Sequence, residues 1–205
     1  MSSKSIRLAA PLLPYIAVGT GFYLVHNAWA ALLGYHIGII ALLTLTHSWP
    51  VKHQIKLPAN RLWLIPGLSG TTSGVLLFFL WNIAVSSSNP ATKLVSLGLN
   101  STTWLLFIVY FSLVNPWLEE YYWRGWLGNP SSSLLLRDIW FGGYHLLVLA
   151  PFIAPGWLVF ALVFMSMAGW LLRQIAARSG SLFSAILLHF TADLSIILAV
   201  YFRVG

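Results

Sequence analysis

The sequence predicts an all-α fold, a polytopic transmembrane helix bundle with about seven spans. Three observations predict it. The 205 residues are 59% hydrophobic and 7% charged, whereas a soluble domain carries about 25% charged residues. Mean hydropathy is +0.81. Apolar runs long enough to cross a hydrocarbon core of about 30 Å recur along the chain. At about 20 residues per crossing, about six to eight helices fit, with no room for a separate soluble domain. Residues 1–93 hold about three spans and 94–205 about four, in one integral membrane domain.

The first span is predicted over 8–25, followed by a turn near 26–34 and a second span over 35–49. Read as one helix, 8–49 would be about 63 Å long at 1.5 Å per residue, too long for a single crossing. The third span is predicted over 62–85. The fourth runs over 94–118, with a helical pattern that continues to Trp126. The last three are predicted over 134–152, 157–175 and 182–202. Pro50, Pro58, Pro90, Pro130 and Pro155 fall in the connections, where a missing N–H is tolerated. Lys4 and Arg7 before an apolar run, with Ala28-Trp29-Ala30 after it, have the form of a cleavable signal. The run is long for a signal and further spans follow, so it is read as the first span.

Lys and Arg alternate between connections. Lys4 and Arg7, then Lys52, Lys56 and Arg61, then Arg124 and Arg137, then Arg173 and Arg178 mark one side; Lys93 and Arg203 mark the other. The chain is read as a multi-pass protein of the cell membrane, and the positive-inside rule predicts a cytoplasmic N-terminus and, with seven spans, the C-terminus opposite. The net charge of +7 meets anionic membrane lipids in this arrangement, and no continuous basic face for nucleic acid is present. With no cysteine, disulfides, thiolate metal sites and a cysteine nucleophile are excluded. Trp49, Trp63, Trp117, Trp126 and Trp157 near span ends read as interfacial belts. His26, His36, His47 and His53 read as interfacial too. Gly34-x-x-x-Gly38 and Gly70-x-x-x-Gly74 permit close helix approach. Asn100-Ser101-Thr102 is a glycosylation sequon placed within a predicted span.

The chain has four acidic residues, and charge at the bilayer centre costs at least about 2.5–3.5 kcal/mol. Glu119, Glu120 and Asp193 lie in or beside apolar runs, as do His145 and His189. Glu120 and Arg124 are four apart and share a helix face, while Glu119 points about 100° away. Adjacent carboxylates repel, which favours a retained proton on one and suits general acid–base work. Phe141 lies one turn before His145, beside Gly142 and Gly143, which admit a helix or a substrate backbone. His189 and Asp193, four apart, point inward together, so Asp193 can fix the imidazole tautomer, or both can face a metal or a water. Asp138 reads as a head-group-level pair with Arg137, with no catalytic part.

Glu119-Glu120-x-x-x-Arg124, Phe141-x-x-x-His145 and His189-x-x-x-Asp193, in this order on separate helices, resemble the CAAX prenyl endopeptidase type 2 and bacteriocin-processing (CPBP, or ABI) family of intramembrane proteases. The resemblance covers roughly residues 94–203; residues 1–93 match only as generic spans. It implies that Glu119 activates the attacking water together with His145. His189 and the residue at 193 would stabilise the oxyanion, while Glu120, Arg124 and Phe141 support the site. Many family members have Asn where this chain has Asp193. Ionised Asp cannot donate to an oxyanion, so Asp193 must be protonated, orient His189 or bind a metal. No cofactor is obligatory on this reading; a Zn²⁺, if present, would be held among Glu119, His145, His189 and Asp193.

The reaction implied is hydrolysis of a peptide bond of a membrane-associated protein, including a lipidated or CAAX-like one, or of a hydrophobic peptide. Three alternatives stand beside it. Intramembrane Glu, His, Asp and Arg also build proton-coupled carriers, although the repeated halves of such carriers are not seen. A non-catalytic homologue could bind peptides without cutting them. Gly67-Leu68-Ser69-Gly70 has the form of a rhomboid serine-protease motif, with Ser69 as nucleophile, but leaves the glutamate pair unexplained.

Overall fold

The computed structural model of the chain describes residues 3–51, 54–58, 60, 62 and 64–204, without the side chains of Ser3, Lys4 and Leu64. Lys52, His53, Arg61 and Trp63, and the side chain of Lys4, therefore lie outside the described residues. Among those described, the fold is all-helical. The sole β feature is an isolated bridge between Val85 and Ile153 that ties two connections together.

α1 (Ser3–Ala9), a 3₁₀ turn (Ala10–Leu12) and α2 (Leu13–Gly19) form a first leg that closes in a π turn (Thr20–Leu24). Pro11 and Pro14 explain the interruption, since each removes a ladder N–H. α3 (Ala28–Leu45) follows a tight corner rather than the predicted turn over 26–34. His26 takes a left-handed φ of +53°, and the Asn27 side chain accepts from the Ala30 N–H at 2.9 Å, capping the helix. The second helix therefore starts seven residues before the predicted Tyr35.

α4 (Leu64–Ser69) and α5 (Thr71–Ala84) make the third leg, with a break at Gly70. The predicted span over 94–118 divides into α6 (Pro90–Ser96) and α7 (Trp104–Glu120). Asn89 caps α6, and Gly98, at φ +82°, turns the chain before α7. The sequon at Asn100 sits in this corner, outside any helix. A π turn (Tyr121–Trp126) extends α7, so the helical pattern does continue to Trp126. α8 (Leu136–Leu149), α9 (Pro155–Ser179) and α10 (Leu182–Val204) complete the chain. Among the described residues, four helices, Ala28–Leu45, Ile65–Ala84, Pro155–Ser179 and Leu182–Val204, are long and apolar enough to cross a membrane.

Contacts fix the direction of each leg. Tyr15 donates to the Trp140 carbonyl and Tyr23 to that of Leu147, so the first leg runs parallel to α8. His36 and Trp29 face Asn115 and Phe107, so α3 runs with α7. Trp117 meets Phe183 and Trp104 meets Tyr201, so α7 opposes α10. Gly70 and Gly74 seat the third leg parallel on α10: a Cβ at Gly70 would stand 2.3 Å from the Leu188 carbonyl oxygen, and one at Gly74 2.1 Å from that of Ser195. These glycines permit the backbone contact. Gly142 does the same between α8 and α9, meeting Ser166.

Arg7, Arg124, Arg137, Arg173 and Arg178 gather towards one end. There Arg7 donates to the Trp126 carbonyl, and Ser181 joins the connection 54–58 through the Lys56 carbonyl. Lys93 marks the other end, where it reaches the Pro151 carbonyl. Val159, Phe160, Val163 and Phe164 on α9 point outward, as a lipid-facing surface requires. The largest core cluster, with Tyr35, Tyr122, Trp123, Leu127, Phe141 and Tyr144, surrounds the acidic residues.

Candidate active site

The last turn of α7 delivers both glutamates into this core. Glu119 is 1% exposed and Glu120 0%. Buried carboxylates require donors, and each finds a different set. Tyr144 of α8 donates to Glu119 Oε1. The second oxygen, Oε2, has no hydrogen-bond partner among the described residues and lies 3.8 Å from His189 Nε2. Glu120 Oε1 accepts from Arg124 Nη1 at 2.8 Å and from His189 Nδ1 at 2.8 Å. The i, i+4 spacing of Glu120 and Arg124 forms their pair as the sequence predicts. Arg124 also donates to the Gly169 carbonyl at 3.1 Å, and its guanidinium stands 4.2 Å from the centroid of Phe141.

On α10, Asp193 Oδ1 is 3.5 Å from His189 Nε2. Glu120 thus takes Nδ1 of His189, the part the sequence offers to Asp193. Asp193 and Glu119 both face Nε2. Asp193 Oδ2 accepts from Asn115 Nδ2 at 2.9 Å.

His145 is fixed by Nδ1, 2.7 Å from the Phe141 carbonyl. A carbonyl only accepts, so Nδ1 carries the proton and Nε2 is left with a lone pair. The His145 ring lies 4.1 Å from that of Tyr144 and 4.9 Å from that of Phe141, and Phe141 also borders His189 at 6.2 Å. Glu119, Glu120, Arg124, His189 and Asp193 therefore join by direct polar contact. His145 reaches the cluster through the aromatic rings, its fixing hydrogen bond running to Phe141 rather than to Glu119.

Three residues of the cluster have no part in the site as read from the sequence, one of them, His36, being read as interfacial. Tyr144 holds Glu119, Asn115 holds Asp193, and His36 stands 3.0 Å from Asn115 Oδ1. His36 is 1% exposed, inside α3, and not interfacial. Asn115, four residues before Glu119 in an apolar run, carried a usable signal: same helix face, polar side chain. Asp138 is also placed differently. Its carboxylate pairs with Arg173 at 2.7 Å and caps the Leu135 N–H at 2.8 Å, while Arg137 reaches the Leu127 carbonyl. Trp126 is buried at the core rather than belted at an interface. Ser69 spends its hydroxyl on the Pro66 carbonyl, on an exposed face of α4. Gly142 and Gly143 face α9 and Tyr15, so helices, not a substrate, use that space.

Among the described residues no group of three or more His, Asp or Glu is arranged to hold an ion, while the hydrogen bonds at Nδ1 of His189 and of His145 leave each Nε2 open.

Residues 101–195 match the family model described as Rce1-like, type II CAAX prenyl endopeptidase. No curated protein and no solved structure matches the chain. The matched segment contains Asn115, both glutamates, both site histidines and Asp193, and over that segment the chain is similar to this family.

Proposed function

From the type II CAAX endopeptidase pattern of residues 101–195, we propose that the chain is an intramembrane endopeptidase. It hydrolyses a peptide bond of a membrane-associated protein, a lipidated CAAX-like one included, or of a hydrophobic peptide. One observation carries the reading: Glu119 Oε2 is buried, has no hydrogen-bond partner among the described residues and faces His189 Nε2 at 3.8 Å. On this reading the attacking water meets both groups, with Oε2 as its proton acceptor.

Tyr144 holds Oε1, so Oε2 takes the proton as the water attacks the carbonyl carbon. Glu119 returns that proton to the departing amine as the C–N bond breaks, and His145, with Nε2 free to accept, takes the proton of the new carboxylic acid. Glu120 fixes His189 with Nε2 toward the reacting space, and the protonated ring offers an N–H to the oxyanion. Asp193 orients that ring rather than donating to the oxyanion. The steps use the chain's own groups and no metal. The basic-rich end faces the cytoplasm, and each of the seven helical legs crosses or enters the bilayer.

The test is cleavage of a peptide library by the purified protein in liposomes, wild type against Glu119→Gln. The wild type is expected to cut, and Glu119→Gln to lose about 10²–10⁴-fold in rate, the usual contribution of a general base. Equal cleavage by both would remove Glu119 from the reaction and the reading with it.

A further inference from the structure

A polar chain leaves the site from Asp193 Oδ2 and ends at the partly buried Tyr110. Asp193 Oδ2 accepts from Asn115 Nδ2 at 2.9 Å, Asn115 Oδ1 is 3.0 Å from His36 Nε2, and His36 Nδ1 is 3.1 Å from the Tyr110 hydroxyl. Donor logic gives every link a direction. Only the amide nitrogen of Asn115 can serve a carboxylate, so its oxygen faces His36 and must accept. His36 Nε2 then carries a proton, Nδ1 accepts, and Tyr110 O–H donates. Each donor points toward Asp193, and each member satisfies the next.

We propose that Asn115, held by His36 and Tyr110, is a positioning residue for catalysis: it engages one oxygen of Asp193 so that the other faces His189 Nε2. The proposal rests on the protease reading above. Two observations favour it over plain interhelical glue. Asn115 Nδ2 supplies the donor to Asp193 Oδ2, while the other oxygen of that carboxylate faces His189 Nε2 at 3.5 Å. It also lies four residues before Glu119, so one turn of α7 fixes both the base and the orienting group.

The chain is tested with purified full-length protein by steady-state cleavage of a peptide that the wild type cuts, and by ring ¹⁵N shifts of histidine-labelled protein. Asn115→Leu is expected to lower kcat about tenfold or more with KM within about twofold, the scale of one lost hydrogen bond to a charged group. In an Asp193→Asn background the same change should cost less than about twofold, because its route to His189 is already altered. Exchanging the pair, Asn115→Asp with Asp193→Asn, keeps one amide–carboxylate bond and should recover more activity than Asn115→Asp alone. His36 should show the Nε2–H tautomer, and Asn115→Leu should shift the His189 ring signals.

A folded Asn115→Leu protein with wild-type kcat would overturn the proposal, as would full additivity with Asp193→Asn or an Nδ1–H tautomer at His36. If Asn115→Leu does not fold, Tyr110→Phe and His36→Phe are judged by the same kcat and KM criteria. A wild type that cuts no peptide would count against the protease reading instead, and the His36 tautomer with the His189 response would still decide the chain.

Discussion

Glu120 places two donors on a single oxygen, one from its own helix and one from α10. Each glutamate has a second oxygen without a hydrogen-bond partner among the described residues, and that of Glu119 faces His189 Nε2 at 3.8 Å. On the proposed reading Glu120 holds and Glu119 reacts. Glu120→Gln should destabilise the protein by about 3–5 kcal/mol, the cost of breaking a buried pair from one side; thermal unfolding in detergent measures it. Tyr144→Phe leaves a buried carboxylate oxygen without its donor and should lower kcat by about tenfold and the melting temperature by several degrees. If kcat stays at wild type, Glu119 does not need that partner. Charged residues of this kind were legible because the sequence has so few; three spaced motifs stood out against apolar helices. Neutral polar partners were not. Tyr144 stands next to His145 and resembles any aromatic in a span, and His36 was misplaced with the start of its helix.

At the scale of elements, the errors of sequence reading share one cause. Apolar composition does not mark where a helix begins inside an apolar stretch; a cap or a left-handed residue does. Asn27 and His26 start α3 seven residues early, and Gly98 divides α6 from α7. The later helices, bounded by Pro155, Gly180 and charged ends, fell within a few residues of prediction. The Gly70-x-x-x-Gly74 spacing also kept its meaning, since both glycines touch α10 backbone. Gly74→Leu should therefore push α5 from α10 and lower the melting temperature by several degrees, since overpacking costs about 1–3 kcal/mol. Gly156→Leu, at a position with no atom within 4 Å, is the control expected to melt as wild type.

For the whole molecule, the polarity of the legs and the distribution of Arg agree on one basic-rich end. Absence of cysteine makes the orientation directly testable. Ser132→Cys in the connection before α8 should react with an impermeant maleimide only from the cytoplasmic side, and Ser88→Cys only from the other. Labelling of both from one side would contradict the orientation. Incubation with a chelator should leave peptide cleavage unchanged, because no proposed step passes through a metal; loss of rate restored by Zn²⁺ would reverse that assignment.

α10 starts at the basic-rich end and reaches His189 seven residues later, a depth of about 10 Å at 1.5 Å per residue. An extended peptide advances about 3.3–3.6 Å per residue. If that end lies at the membrane surface, a tail dipping into the leaflet from it would meet the proposed catalytic groups after roughly three residues. Reach, more than affinity, would then select the scissile bond: shortening or lengthening the polar tail of a bilayer-anchored peptide should move the cut by the same number of residues.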